Sequence, residues 1–201
     1  MLHIFISANG DAIRPGATGE PLPGYEAAIL DGEGRPLPRG HSGRLAVRGP
    51  TGCRYLGDSR QKEYVADGCN ITGDCYRVDD DGYFWFEARA DDMIVSAGYN
   101  IAAPEVESAL IGHPAVREVA VIGAPNLERG QIVKAFVVLA SGVVPGADVV
   151  KMLQDFVKAA IAPYKYPRVI EFVAALPRTQ TGKIQRFALR DLDASHDLQM
   201  K

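Results

Sequence analysis

The change of hydrophobic period at Asp91 constrains the fold of this 201-residue chain more than any other feature. Before it, short apolar runs are broken by Gly and Pro, as in strands. YEAAILD and RLAVRG are joined by a Gly- and Pro-rich loop, and the aromatic run DGYFWFEAR follows an Asp-Gly turn. No convincing helical period precedes Pro104. After Asp91, helices and strands alternate. Pro104 opens a predicted helix in which Val106, Leu110 and Ile111 recur at helical spacing. VREVAVIGA and IVKAFVVLA read as strands, and Val149, Leu153, Phe156, Val157 and Ala160 form the stripe of an amphipathic helix. A Pro-bounded strand, PRVIEFVAALP, and a short helix from about Arg186 to Leu192 follow. The fold class expected is α+β: a β-rich, barrel-like portion over residues 1–91, a small α+β domain over 92–193 that can bury its own core, and a tail over 194–201.

Composition excludes little. The chain is 47% apolar and 23% charged, ordinary for a soluble globular protein, and its net charge of -3 argues against a nucleic-acid-binding surface. Cys53, Cys69 and Cys75 are odd in number and lack a C-x-x-C spacing, which predicts free thiols in a reducing, cytoplasmic compartment. The opening MLHIFISANGDAIRPG predicts neither a signal peptide nor a membrane span, its apolar run being short and without a basic leader. Leu2, Ile4, Phe5 and Ile6 instead read as a strand cut from something longer.

Three segments carry candidate chemistry. In PRTQTGKIQR, a Thr-Gly turn sets Lys183 between a strand end and a basic helix. Gly182 is suited to positive φ, and a lysine ammonium there is a compact charge suited to a carboxylate or phosphate. A solvated turn lysine fits the same residues. In ITGDCYRVDDDGYFWFEARADD, Asp74 follows Thr72 and Gly73 in a predicted tight turn, and Arg89 and Asp91 follow the aromatic strand. A carboxylate can take two neighbouring hydroxyls, and a nearby arginine can donate to the same sugar or a phosphate. Asp74 as a turn cap, and Arg89 in a surface ion pair, remain open. In DDMIVSAGYNIAAPEVE, adjacent acids and a small-residue loop around Gly98 look like a hinge, or equally a plain linker with a turn glycine.

Taken together, GRLAVRGPTGCRYLGD, ITGD, DGYFWFEARADDMIVSAGYNIAAPEVESAL, HPAVREVAVIGAPNLERGQIVKAFVVL and LPRTQTGKIQR resemble, in order and spacing, the C-terminal part of the adenylate-forming enzymes. That superfamily holds acyl-CoA synthetases, peptide-synthetase adenylation domains and luciferases, and the resemblance runs nearly end to end. The opening MLHIF is most similar to benzoate and 2-aminobenzoate CoA ligases, just past their Thr-Glu nucleotide motif. The resemblance implies an enzyme that joins an aromatic carboxylate to ATP, releasing pyrophosphate, and transfers the acyl group from AMP to the thiol of coenzyme A.

By position, the resemblance makes Asp74 and Arg89 ribose-binding residues and Lys183 the lysine that bridges the attacking carboxylate and the α-phosphate. It makes Asp91 the hinge between adenylation and thioester formation, and Gly98 a lining residue of the pantetheine tunnel. His3 and Ile4 fall where such ligases line the acyl pocket. Asn100 stands where many short-chain synthetases have an arginine, so guanidinium contacts to phosphate there are expected to be weaker or absent.

The chain has no Ser/Thr/Gly-rich phosphate loop and no Thr-Glu motif, which the family uses for ATP and magnesium. It reads as a C-terminal fragment, inactive alone, whose Mg²⁺ ligands lie elsewhere in a full-length parent. No metal site is expected in the chain itself. Alternatives are a medium-chain acyl-CoA synthetase, a peptide-synthetase adenylation fragment, or a non-catalytic binding module. The truncated β half is expected to expose apolar faces from Leu2, Ile4, Phe5, Leu45, Val47, Phe84 and Phe86, and to be poorly ordered or covered by self-association. No nucleic-acid or membrane partner is expected.

Overall fold

Two long apolar runs, residues 116–126 and 130–139, pair as an antiparallel ladder buried on both faces, and the rest of the C-terminal half is arranged around them. A computed structural model describes residues 4–50 and 64–199 of the chain. Leu2, His3 and Cys53 lie outside the described residues. Two compact units divide at the Asp91–Asp92 bond.

The unit that begins at Asp92 contains β8 (Met93–Ser96), β9 (Tyr99–Ala102), α1 (Ala103–Ile111), β10 (Val116–Asn126), β11 (Gly130–Leu139), α2 (Ala147–Ala160), β12 (Val169–Phe172) and α3 (Arg186–Gln199). Its sheet runs β10-β11-β8-β9, with β12 parallel to β11. Strand alternation divides the ladder between two cores. Val119, Val121, Val133, Ala135 and Val137 pack with Val106 and Leu110 of α1 and Leu153 and Val157 of α2. Ala120, Ile122, Phe136 and Val138 pack on the opposite face with Leu176, Ile184 and Leu189 of α3. Near-continuous apolar strands are the signature of a sheet covered on both sides.

Two details differ from the sequence reading. Ile111, placed in the apolar stripe of α1, is about half exposed, because the stripe ends with Leu110. The last helix runs on to Gln199, so most of the segment read as a tail is helical.

One buried ion cluster sits between β11, β12 and α3. Lys134 donates to Asp193 at 2.5 Å, lies 2.8 Å from Glu171, and has its ammonium over the Phe136 ring. Burial lowers the pKa of this ammonium, but the hydrogen bonds to Asp193 and Glu171 outweigh it, and the net direction is upward.

The N-terminal unit holds β1 (Ile6–Ser7) paired with β2 (Glu20–Pro21), and a second sheet of β3 (Glu26–Leu30), β4 (Ser42–Arg48), β5 (Val65–Ala66), β6 (Cys69–Val78) and β7 (Phe84–Arg89). β6 is central, with β4 on one side and β5 and β7 on the other. Ile6, Ile29, Leu45, Val47 and Phe84 form its core. The expected loss of cover is therefore corrected for Leu45, Val47 and Phe84, which are buried in this cluster. Ile4 and Phe86 do face solvent. Cys75 is buried in this unit, and burial pushes its thiol up to about 11.

The Lys134 cluster yields a stability prediction. Lys134→Ala strands two carboxylates against a buried site, a change that costs about 3 to 5 kcal/mol when a buried pair is broken. Helices α1, α2 and α3 belong to the C-terminal unit, and the one tryptophan, Trp85, to the N-terminal unit. Urea unfolding of Lys134→Ala should show its shift in far-ultraviolet circular dichroism, with little change in the Trp85 fluorescence transition. A raised folded-state value also fixes the pH dependence: the cluster's contribution is fully present below the ordinary lysine value of 10.5 and is lost as pH rises through the higher folded value.

Candidate functional site

Lys183 follows the turn of a hairpin built from residues 177–185. The Thr179 N–H donates to the Lys183 carbonyl at 2.8 Å, the Gly182 N–H to the Thr179 carbonyl at 2.9 Å, and the Gln185 N–H to the Pro177 carbonyl at 2.9 Å. Gly182 has φ +84°, so the loop is a reverse turn followed by a left-handed glycine, a standard way to close a three-residue hairpin. The Thr179 hydroxyl oxygen accepts from the Lys183 N–H at 3.1 Å and meets the Thr181 hydroxyl at 2.9 Å. The hairpin therefore fixes the backbone of Lys183 from both sides. The side chain is exposed, and no ion pair to its ammonium is formed among the described residues.

Asp74 and Arg89 face each other directly across β6 and β7, and Arg89 donates to Asp74 Oδ1 at 2.9 Å. The tight turn predicted at Asp74 is a bulge inside β6. Between Ile71 and Cys75, the three residues Thr72, Gly73 and Asp74 stand opposite Leu45 alone on β4. Gly73 absorbs the excess at φ +78°, and a Cβ there would meet the Arg89 guanidinium at 3.1 Å. Thr72 donates its hydroxyl to the Leu45 carbonyl left over by the bulge. Asp74 thus projects from a bulge with one oxygen held by Arg89 and a half-buried side chain. One hydroxyl of a diol could donate to the second oxygen, while the other accepts from Arg89.

Asp91 and Asp92, adjacent in sequence, differ sharply in environment. The side chain of Asp91 is 71% exposed and lies 4.0 Å from Arg89. That of Asp92 is 13% exposed and receives Arg186 at 3.3 Å and Arg190 at 3.0 Å, both from α3. Arg186 also grips Glu107 of α1, with contacts of 2.7 and 2.9 Å, and Glu107 accepts the Val121 N–H of β10 at 2.8 Å. The sequence reading named the acid pair but not the arginines that hold Asp92, which lie more than 90 residues away.

Gly98 and Ala97 form the two-residue turn between β8 and β9, both with positive φ. The Ala97 N–H donates to the Arg129 carbonyl at 2.9 Å, tying this turn to the tip of the β10–β11 hairpin. A Cβ on Gly98 would meet nothing within 4 Å, so its surface is open. Ile4 is described and exposed; His3 is outside the described residues. Among the described residues no three His, Cys, Asp or Glu side chains converge as a metal ion requires, and no helix is long and apolar enough to cross a membrane. The structure brings Asp74 and Arg89 together in the N-terminal unit, while Gly98 and Lys183 belong to the other.

Residues 105–183, from the first turn of α1 to the hairpin lysine, match the AMP-binding enzyme C-terminal domain. The chain is 46% identical over 182 residues to YtcI, an uncharacterized acyl-CoA ligase of Bacillus subtilis, covering 89% of this chain and 34% of that protein. It is also 46% identical over 197 residues to the mitochondrial acyl-coenzyme A synthetase ACSM4 of Homo sapiens, covering 94% of this chain and 34% of the synthetase. The solved structure of the anthranilate CoA ligase AuaEII, in complex with anthranoyl-AMP, aligns with 98% of this chain and 38% of its own at a TM-score of 0.79 and 41% identity. The chain spans about one third of the length of the curated relatives it matches. Residues 105–183 are thus similar to the AMP-binding enzyme C-terminal domain, and nearly the whole chain is similar to one part of acyl-CoA ligases and synthetases.

Proposed function

We propose that these residues are the C-terminal part of an AMP-forming acid-thiol ligase, with Lys183 serving the adenylation step. The observation that carries this reading is an exposed lysine with no ion pair among the described residues, placed at a fixed hairpin, at the end of a matched AMP-binding enzyme C-terminal domain. In the first half-reaction a carboxylate oxygen attacks the α-phosphorus of ATP and the bond to pyrophosphate breaks. Lys183 stabilises negative charge that grows on the phosphate and joins it to the incoming carboxylate, which is electrostatic preorganisation. In the second, the thiol sulfur of coenzyme A attacks the acyl carbon and AMP leaves. Asp74 and Arg89 hold the ribose, and Gly98 gives the pantetheine arm a surface with no side chain. Among the described residues no magnesium donor set is formed, and the proposed Mg²⁺ ligands belong to the rest of the full-length ligase.

The acid proposed is aromatic, of the 2-aminobenzoate or benzoate type. Similarity to a structure holding anthranoyl-AMP supports it. A second reading, a medium-chain acyl-CoA synthetase, draws support from the equal similarity to a mitochondrial acyl-coenzyme A synthetase. Rates with a panel of aromatic and straight-chain acids, measured on the full-length ligase, separate the two.

The role of Lys183 is tested by half-reactions in that ligase. Lys183→Ala should slow adenylate formation by about 10²-fold or more, the scale for losing a preorganised charge. Transfer from supplied acyl-AMP to coenzyme A should persist. Equal losses in both steps would refute the assignment.

Asp91 is proposed as the pivot about which the C-terminal unit turns between the steps. Proline there fixes φ and removes a backbone donor. Asp91→Pro should keep adenylation, read as pyrophosphate exchange, and lose thioester formation; normal coenzyme A transfer would count against the pivot.

A further inference from the structure

Arg178 and Glu118 hold the Lys183 hairpin to the sheet. One Arg178 nitrogen donates to the Gly182 carbonyl at 2.6 Å, and the other to Glu118 Oε2 of β10 at 2.6 Å. Arg178 also sits opposite Ile184 in an antiparallel bridge. One guanidinium therefore grips the peptide that joins Gly182 to Lys183 and anchors it to a strand 60 residues away. Planar, forked donors make arginine suited to this and lysine not.

A bulge aims Glu118 at this face. Val116 pairs with Leu139 and Glu118 with Val138, so Arg117 is an extra residue in β10. Val116 and Val119 both lie in the core under α1 and α2, although they are three residues apart. The extra residue resets the alternation and leaves Glu118 on the same face as Ala120 and Ile122, where Leu176 and Ile184 pack. Bulges are used in this way to re-aim a side chain near a functional site.

The energetics separate positioning from stability. Both side chains are partly exposed, and solvent screening leaves such a pair little weight in folding. The hydrogen bond from Arg178 holds the Glu118 carboxyl below the usual glutamate range, consistent with a formed pair. Glu118 also meets Arg117 at 3.7 Å, so its one carboxylate is shared by two guanidiniums.

We propose that Arg178, anchored by Glu118, is a positioning residue for adenylate formation that fixes where the Lys183 ammonium points. This rests on the assignment of Lys183 to adenylation. In the full-length ligase, Arg178→Ala should lower the adenylation rate constant by about 10- to 100-fold, the scale for misplacing a group by about 1 Å, with KM for ATP unchanged. Transfer from supplied acyl-AMP to coenzyme A should stay at the parental rate. Arg178→Lys should recover only part of the loss, and Glu118→Gln should give a smaller loss in the same step.

On the 201-residue chain, amide hydrogen exchange at Thr179 and Gly182 should quicken in Arg178→Ala, while Val121 and Ala135 in the ladder stay unchanged. Should Arg178→Ala not fold, Glu118→Gln carries the same two measurements. If Lys183→Ala leaves adenylation intact, the assignment of the lysine falls. If Lys183→Ala abolishes adenylation but neither Arg178→Ala nor Glu118→Gln slows it, the clamp falls alone. Equal losses in both half-reactions would make Arg178 merely structural and overturn the proposal.

Discussion

Burial of the β10–β11 ladder on both faces is the constraint on which the C-terminal unit depends. Strand residues alternate between faces, so one ladder must be covered twice: by α1 and α2 on one side, by α3 and the segment leading to it on the other. Leu176, just before the Lys183 hairpin, and Ile184, in its second arm, are part of that second layer. The lysine is thus carried by a loop whose two ends are pinned in a core. At about 25 cal/mol per Å² of apolar surface, burial of such side chains outweighs any ion pair at the rim.

Polar groups then finish what the two cores leave open. β10 is the edge of its sheet, and an uncovered edge would present unpaired N–H groups. Glu107 accepts one of these, from Val121, and its carboxylate also takes Arg186, so a single side chain covers the edge and joins α1 to α3. Lys134 does the comparable work inside the second layer, tying β11 to β12 and α3. Both clusters are charged at both ends, which is why they specify where α3 sits. Apolar contacts alone would let it slide along the sheet.

Much of this was legible in the sequence, and the remainder was hidden for one physical reason. Periodicity located α1, α2, β10 and β11 because each buries a face whose spacing is local. The boundary after Asp91 follows from the same change of period. The turn at Gly182 was legible from composition, since a left-handed residue is readily supplied by glycine. Missed were features set by residues distant in sequence. Asp74 was read on a tight turn, but the opposing residue Leu45 makes it a bulge in a strand. Leu45, Val47 and Phe84 were read as losing cover, because nothing local says that Ile6 and Ile29, from two different sheets, pack with them. The partners Glu118 of Arg178 and Asp92 of Arg186 lie 60 and 94 residues away, beyond any local pattern.

The two acids at the boundary differ in how they are tied to the segment that carries Lys183. Asp92 is held by Arg186 and Arg190, and Arg186 stands three residues after Lys183. Arg186 is in turn fixed to α1 by Glu107, and the hairpin before it to β10 by Arg178 and Glu118. Asp92 is therefore linked to the segment that carries Lys183 by charged contacts that also reach α1 and β10. The Asp91 carboxylate is the more exposed of the two and lies 4.0 Å from Arg89. If Asp91 is the pivot proposed above, these contacts would carry the Lys183 hairpin with the unit that begins at Asp92, as a lysine presented for one step and withdrawn for the next would require.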